Sequence, residues 1–311
     1  MLKISSSFKS EKGTAVVIFA LSMTVVLGFC ALAVDFGVVT HEKNRMSNAV
    51  DAAALAGAQE LIYDKDNVHN VVNQYLVKNS IDPSNAEVVV FDSDTKVSVT
   101  ANKDVNYYFA RIFGVDKTNV KSVGVAECAP ICGVSEGIRP FGIAQQTFEY
   151  GKQYTLKEGG GEGYTGNYGA LNLNKSGSNE YGNNIVNGYK GYIKVGDLLP
   201  TEPGNMCGDT VSGISNLLNQ CNHSPECTFD NFNIECPRLI TVIIIDSFDV
   251  NGRSDVTVMG FAKFFLEEVI EEKHIGVKKA TVIGRFVKAI GIGNVSRTQT
   301  DYGFKGVKLI Q

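Results

Sequence analysis

The pattern of apolar and charged residues sets one segment near the N-terminus apart from the rest of the chain. Residues 14–34 (TAVVIFALSMTVVLGFCALAV) form a run of 21 residues without a charge, between Lys12 and Asp35. At about 1.5 Å per residue, a helix of this length spans roughly 31 Å, close to the thickness of the bilayer hydrocarbon core. The pattern predicts a transmembrane helix that crosses the membrane once.

The residues that follow continue the helical period. Apolar or small residues recur at spacings of three to four, at Met46, Val50, Ala53, Gly57 and Leu61, which predicts a helical extension to about residue 62. Its small residues include Ala49, Ala53 and Gly57, which we expect to form a face that packs against a helix of a partner protein. The helix propensity of alanine is the alternative explanation for the same composition.

Shorter periodic segments begin at residue 63. Residues 66–79 predict a helix, residues 86–92 and 95–101 predict a hairpin, residues 105–114 predict a short helix and residues 119–128 predict a strand. Residues 63–128 are therefore expected to form a small α/β module.

Beyond residue 128 the chain consists of short β-like runs separated by glycine, with one helix predicted at residues 210–220. Strands are predicted at residues 238–250, 255–270 and 275–290, and Asn251-Gly252 favours a hairpin between the first two. The predicted fold class is α+β. Its parts are a cytoplasmic stub (residues 1–12), the transmembrane helix with its alanine-rich extension (13–62), the α/β module (63–128) and a β-rich extracellular domain (129–311).

Six of the seven cysteines follow the apolar run: Cys128, Cys132, Cys207, Cys221, Cys227 and Cys236. An even number favours three disulfides in an oxidising compartment. Together with the lysines that precede the apolar run, this places the N-terminus in the cytoplasm and the bulk of the chain outside the membrane. The expected pairs are Cys128–Cys132, Cys227–Cys236 and Cys207–Cys221, although six cysteines allow about fifteen connectivities.

Zinc is the other chemistry that these cysteines could serve. Four of them, with His223 among them, offer enough ligands for one ion. The intervals between Cys207, Cys221, Cys227 and Cys236 are 13, 5 and 8 residues, unlike the paired C-x(2–4)-C spacing of most structural zinc sites. The sequence therefore favours disulfides and predicts neither a metal site nor a cofactor.

Composition argues against nucleic-acid binding and gives little support to catalysis. The net charge is −4, tryptophan is absent and there are only four histidines, so neither a basic surface nor a cluster of general bases is expected. Asp246 follows an apolar strand as in a metal-dependent adhesion motif, but Phe248 stands where that motif requires serine. No catalytic residue is predicted, and a membrane-tethered hydrolase remains an alternative.

A second alternative is a secreted adhesin. Ala31-Leu32-Ala33 has the small-x-small pattern that signal peptidase reads, so cleavage after Ala33 would release the remainder of the chain. Retention is favoured, because the apolar run is longer than the h-region of a usual signal peptide and is followed by more predicted helix.

Residues 11–61 resemble the N-terminal segment of the TadE/TadG-like proteins of bacterial Flp (tight adherence) pilus assembly. The resemblance is carried by Ala33-Val34-Asp35, Gly37 and NAVDAAALAGA at residues 48–58. Weaker similarity to the ectodomains of Gram-positive relatives is found at residues 107–115, 139–143, 165–173, 202–205 and 260–268.

The resemblance implies a membrane-anchored, non-enzymatic component of Flp/Tad pilus assembly or secretion. Its implied partners are the lipid bilayer and other Tad components, with pilins among the candidates. Ile18 stands five residues after Gly13, where pilins of the system carry glutamate, so processing by a prepilin peptidase is not expected.

Overall fold

A computed structural model of the protein describes residues 12–157, 169–174, 178–202, 206–249, 252–274 and 277–310. The predicted stub up to residue 11, most of the glycine-rich stretch at residues 159–169 and Asn251 lie outside the described residues.

The first element, α1, is one continuous helix from Lys12 to Glu60. Its 49 residues correspond to a length of roughly 74 Å. The apolar side chains from Ala15 to Val34 are exposed except for the half-buried Ala31, whereas Asp35 is buried and a continuous buried face begins at Met46. The helix therefore has two parts: an apolar part that the rest of the protein leaves uncovered, and a part that is packed in the protein interior.

The other elements follow in chain order. They are α2 (Val68–Lys78), β1 (Ala86–Phe91), β2 (Lys96–Asn106), β3 (Lys117–Val134), β4 (Ile138–Ala144), β5 (Gln153–Lys157), α3 (Ser178–Asn187), β6 (Ile193–Lys194), β7 (Leu198–Pro200), α4 (Cys207–Asn219), β8 (Leu239–Ile245), β9 (Asp255–His274), β10 (Val277–Val287), β11 (Ala289–Ile290), β12 (Asn294–Val295) and β13 (Phe304–Leu309). This mixture of an apolar N-terminal helix and a β-rich remainder confirms the predicted α+β class.

The first sheet lies under the second half of α1. Its order is β1-β2-β3-β13-β11, and β6 and β12 also pair with β3. The β1–β2 and β2–β3 pairs are antiparallel, as is β3 with β13. The module boundary expected at Cys128 lies inside β3, which runs on to Val134. The C-terminal strand β13 thus returns to complete the sheet that the N-terminal module begins.

The second sheet has the order β4-β8-β9-β10-β5, with β7 paired to β9. Every residue of β8 is buried, because both faces of this sheet are covered. On one face, α3 and α4 pack with an aromatic cluster that includes Phe141, Tyr181, Phe264 and Phe286. The other face packs against residues of β3, β6 and β7, among others.

The α3 helix is not predicted by the sequence pattern. Its residues SNEYGNNIVN are mostly polar and include Gly182, which disfavours a helix. Tyr181 and Ile185 lie four residues apart and are both buried. Their packing against the second sheet is therefore what stabilises this helix.

The small-residue face of α1 has its packing partner within the chain. Ala49 and Ala53 are fully buried in the core formed with the first sheet and α2. A Cβ atom added at Gly57 would lie 2.7 Å from Val72 Cγ2 of α2 and 3.2 Å from Val97 Cγ1 of β2. The expectation that this face receives a helix of another protein therefore needs correction, since α2 and the first sheet occupy it.

Gly57→Leu is expected to destabilise the fold. The new side chain has to displace Val72 and Val97, and overpacking of this kind costs about 1–3 kcal/mol. Gly37→Leu is the matched control, because a Cβ at Gly37 meets nothing within 4 Å and leucine raises helix propensity. Unfolding of the full-length protein in detergent, followed by circular dichroism, measures both variants. A Gly57→Leu variant as stable as Gly37→Leu would contradict the packing described here.

Candidate functional site

The apolar run of α1 ends at a hydrogen-bonded carboxylate. Asp35 is only 3% exposed and accepts hydrogen bonds from three consecutive backbone N–H groups. Oδ1 accepts from Tyr108 at 2.7 Å and from Phe109 at 3.2 Å, while Oδ2 accepts from Phe109 at 3.1 Å and from Ala110 at 2.7 Å. These donors begin a 3₁₀ turn, Ala110–Phe113, whose first N–H groups lack partners within the turn. Asp35 thus holds a distant loop against the helix.

We call residues 107–115 the boundary loop. The sequence pattern predicts a helix over residues 105–114, but β2 continues to Asn106 and only the 3₁₀ turn is helical. The predicted end at Gly114 is confirmed, since this residue adopts φ 81° and closes the turn. The loop departs from a longer helix because its N–H groups bond to Asp35 instead of to carbonyls of a preceding turn.

The boundary loop presents large apolar side chains to the outside. Ile112 is 79% exposed and Phe113 is 83% exposed. Between the loop and α1 lies a groove of about 540 Å³, whose lining includes Leu27, Cys30 and Phe109. The exposed apolar surface of α1 therefore continues onto the loop without interruption.

A second notable site lies between α4 and β8. Cys221, His223, Cys227 and Cys236 bring three sulfur atoms and an imidazole nitrogen within 4.8 Å of one another. Cys221 Sγ is 3.6 Å from Cys236 Sγ and 3.7 Å from His223 Nδ1. We call these four residues the cysteine cluster. They are the group in the described part of the chain that could hold a metal.

The environments of the sulfur atoms in the cluster differ. The pKa of the Cys221 thiol is lowered to about 6, first by the backbone N–H of Cys227 and then by the His223 side chain. Burial raises the pKa of Cys236. The thiol of Cys227 accepts a hydrogen bond from the backbone N–H of Asn233 at 3.4 Å.

The structure does not support the expected disulfides. Cys221, Cys227 and Cys236 are free thiols, so neither Cys227–Cys236 nor Cys207–Cys221 is bonded. Cys207 is buried in the first turn of α4.

The expected Cys128–Cys132 pair fails for a different reason. Both residues lie on β3 and are free thiols. Four residues of extended strand separate their Cα atoms by roughly 13 Å, beyond the limit of about 7 Å for a disulfide. Burial raises the pKa of the Cys128 thiol to about 11, so this thiol stays protonated inside the sheet.

Asp246 has a structural role in the turn between β8 and β9. Its Oδ1 accepts hydrogen bonds from the backbone N–H groups of Ser247 at 2.9 Å and Thr257 at 3.0 Å. Phe248 is buried in the core beneath it. The residue that suggested an adhesion motif therefore ties two adjacent strands together.

Substitution of Asp35 is expected to release the boundary loop. Asp35→Ala removes every acceptor, and amide hydrogen exchange at residues 108–110 should accelerate by about tenfold or more, as loss of a charge-assisted hydrogen bond implies. Asp35→Asn keeps one acceptor oxygen and should have a smaller effect. Asp82→Asn is the control, because Asp82 caps a different 3₁₀ turn through Ser84 N. Unchanged exchange at residues 108–110 in Asp35→Ala would show that the contact does not order the loop.

Comparison with known proteins identifies the segment that contains Asp35. No curated protein and no solved structure matches the chain. One helix among the described residues, Gly13–Glu60, is long and apolar enough to cross a membrane, with a mean hydropathy of 2.6 over an 18-residue window. The family model of the TadE/G-like Flp pilus-assembly proteins matches residues 13–60, which is this helix. The α1 helix is therefore the part of the chain that is similar to the TadE/G-like Flp pilus-assembly proteins.

Proposed function

We propose that the protein is a membrane-anchored, non-enzymatic component of Flp/Tad-type pilus assembly or secretion at the cell surface. The observation that carries the proposal is the coincidence of the family segment, residues 13–60, with a helix of two distinct halves. One half is apolar and uncovered, and the other half is the central helix of a folded module.

The uncovered half supports membrane anchoring. The most apolar window of α1 has none of its residues buried inside the protein, and Phe19 and Phe29 are 67% and 69% exposed. Exposed apolar surface costs about 25 cal/mol per Å² in water, a cost that lipid removes. Residues 31–33 lie within the continuous helix, which favours retention of the anchor over cleavage after Ala33.

The orientation belongs to the same proposal. Lys3, Lys9 and Lys12 precede the apolar run and favour a cytoplasmic N-terminus. Free thiols in the cysteine cluster mean that the disulfide argument no longer contributes to this assignment. The module of residues 63–128 and the β-rich residues 129–311 then lie on the outer side of the membrane.

We place the boundary loop at the outer membrane interface. Asp35 holds the loop beside the end of the apolar run, and Phe113 and Ile112 extend the apolar surface of α1 sideways. Tyrosine and tryptophan are enriched at this depth in membrane proteins because their amphipathic rings suit the headgroup region, and the boundary loop also exposes Tyr108. The folded part of the chain would then have two fixed points on the membrane, a helix and a loop.

The partners are proposed to be other Tad components, with pilins among the candidates. The small-residue face of α1 is buried against α2 and the first sheet, so such partners have to use other surfaces. The sequence offers the tethered-hydrolase alternative no set of acid, base and nucleophile, and the Asp246 carboxylate accepts two backbone hydrogen bonds.

A tryptophan probe tests the membrane position of the boundary loop. The natural chain contains no tryptophan, so Phe113→Trp introduces a single fluorophore. In proteoliposomes its emission should shift to the blue and be quenched by brominated lipids. Ile292→Trp is the control, because Ile292 is 96% exposed and lies far along the chain. Equal quenching at both sites, or none at residue 113, would contradict the placement.

The pilus role is tested in the source organism. A strain without this chain should lose surface pili, counted by electron microscopy, and the wild-type chain should restore them. Asp35→Ala should restore fewer pili than wild type, because the contact at the membrane boundary is lost, while Ile292→Ala should restore them fully. Normal piliation in the deletion strain would refute the proposed function.

A further inference from the structure

We propose that Cys221, His223, Cys227 and Cys236 bind one zinc ion in a closed structural site. The inference goes beyond the proposed function, because it concerns the β-rich residues after position 128 and not the family segment at residues 13–60.

Two distances within the cysteine cluster are close to the edges of a zinc tetrahedron. With Zn–S bonds of ~2.3 Å and Zn–N bonds of ~2.05 Å, tetrahedral ligands lie roughly 3.8 Å apart for sulfur and sulfur and roughly 3.6 Å for sulfur and nitrogen. Cys221 Sγ and Cys236 Sγ are 3.6 Å apart, and Cys221 Sγ and His223 Nδ1 are 3.7 Å apart. All four ligand atoms lie within 4.8 Å of one another, so small movements of the side chains would bring the other pairs to the tetrahedral spacing.

The chemistry of the ligands selects zinc. Three thiolates and one imidazole form a soft, tetrahedral donor set, which is one of the common structural zinc combinations. Four protein ligands leave no open position for water or substrate, so the site is structural and not catalytic. Cys227 and Cys236 are buried, and Cys221 and His223 are half-buried, which shields the ion from competing ligands.

A disulfide would involve only two of the four clustered residues, whereas a zinc ion would involve all four. Three cysteines within reach of one another can form one bond and leave one thiol over. A disulfide would also leave His223 without a role, whereas zinc binding uses the imidazole nitrogen that lies 3.7 Å from Cys221 Sγ.

The surroundings of the cluster are already arranged to hold it. The backbone N–H of Asn233 donates to Cys227 Sγ, as N–H groups commonly do to metal-bound thiolates. Arg238 donates from Nη1 to the carbonyl of Cys227 at 3.0 Å and from Nε to the carbonyl of Leu266 at 3.1 Å. The loop that carries the ligands is therefore joined to β9 through one guanidinium group.

A metal at this position would fasten the loop onto the second sheet. Cys227 and Cys236 pack with Leu239, Phe265 and Val287, and the ring of Phe232 lies 5.5 Å from that of Phe265. The segment between α4 and β8 is otherwise irregular apart from a single β-bridge, Thr228–Asn231. Zinc would supply in this loop the cross-link that the number of cysteines predicted to come from disulfides.

The metal content of the full-length protein tests the proposal. Protein extracted from membranes in detergent, without chelator and without added reductant, should contain one zinc per chain by elemental mass spectrometry. Cys221→Ser and His223→Ala should each weaken zinc binding by at least about tenfold in competition with a chelator. Loss of a residue that only hydrogen-bonds to a metal ligand already weakens binding by about tenfold or more. Cys132→Ser is the matched control, because Cys132 lies on β3 outside the cluster, and it should retain zinc.

Alkylation of the wild-type protein gives a readout that does not depend on the folding of variants. With zinc bound, iodoacetamide should label Cys132 but spare Cys221, Cys227 and Cys236, and addition of a chelator should expose all three together. Cobalt added to the chelated protein should give the absorption of a tetrahedral thiolate complex. A zinc-free protein with a disulfide within the cluster, or zinc retained by folded Cys221→Ser and His223→Ala variants, would overturn the proposal.

Discussion

The hydrogen bonds of Asp35 control how the apolar half of α1 meets the folded part of the protein. The helix α1 has 49 residues, and its surroundings change at the turn where the uncharged run of residues 14–34 ends. Asp35 lies at that turn, and its carboxylate accepts hydrogen bonds from three backbone N–H groups of a loop more than 70 residues further along the chain. From there on, one face of α1 is covered by the first sheet and α2. A single carboxylate therefore holds the boundary loop beside the turn of α1 at which the uncovered apolar run ends.

Elements with strong local periodicity could be predicted from the sequence. The apolar run, the β1–β2 hairpin, α2 and the strands β8 to β10 all follow from spacing and turn residues. The polar helix α3 could not, because only Tyr181 and Ile185 mark its buried side and their partners are distant in sequence. The small-residue face at Ala49, Ala53 and Gly57 could be predicted to be a packing surface. The sequence pattern does not distinguish a partner in another chain from one later in the same chain.

The cysteine cluster, too, could not be predicted from local sequence spacing. Intervals of 5 and 8 residues between Cys221, Cys227 and Cys236 do not resemble a zinc knuckle, since a knuckle is a local turn. Here the ligands meet because the loop folds back on β8 and β9, where Arg238 bonds to the carbonyl of Cys227. His223 was the available signal, since it lies between two of the cysteines. Its proximity to Cys221 Sγ depends on the conformation of the loop, which spacing alone does not reveal.

The pairing of β3 with β13 constrains the order in which the protein can be made. Val134 ends β3 and Phe304 begins β13, so about 170 residues separate the two strands, which at 5–20 residues per second corresponds to roughly 10–30 s of synthesis. During this interval the edge of β3 opposite β2 has not yet paired with β13. An unpaired strand edge is a template for pairing with other chains. The strand β3 therefore emerges from the ribosome long before β13, the strand that pairs with it. A nascent chain therefore holds an open sheet edge while these residues are made, and protection of that edge during synthesis becomes a requirement for its biogenesis.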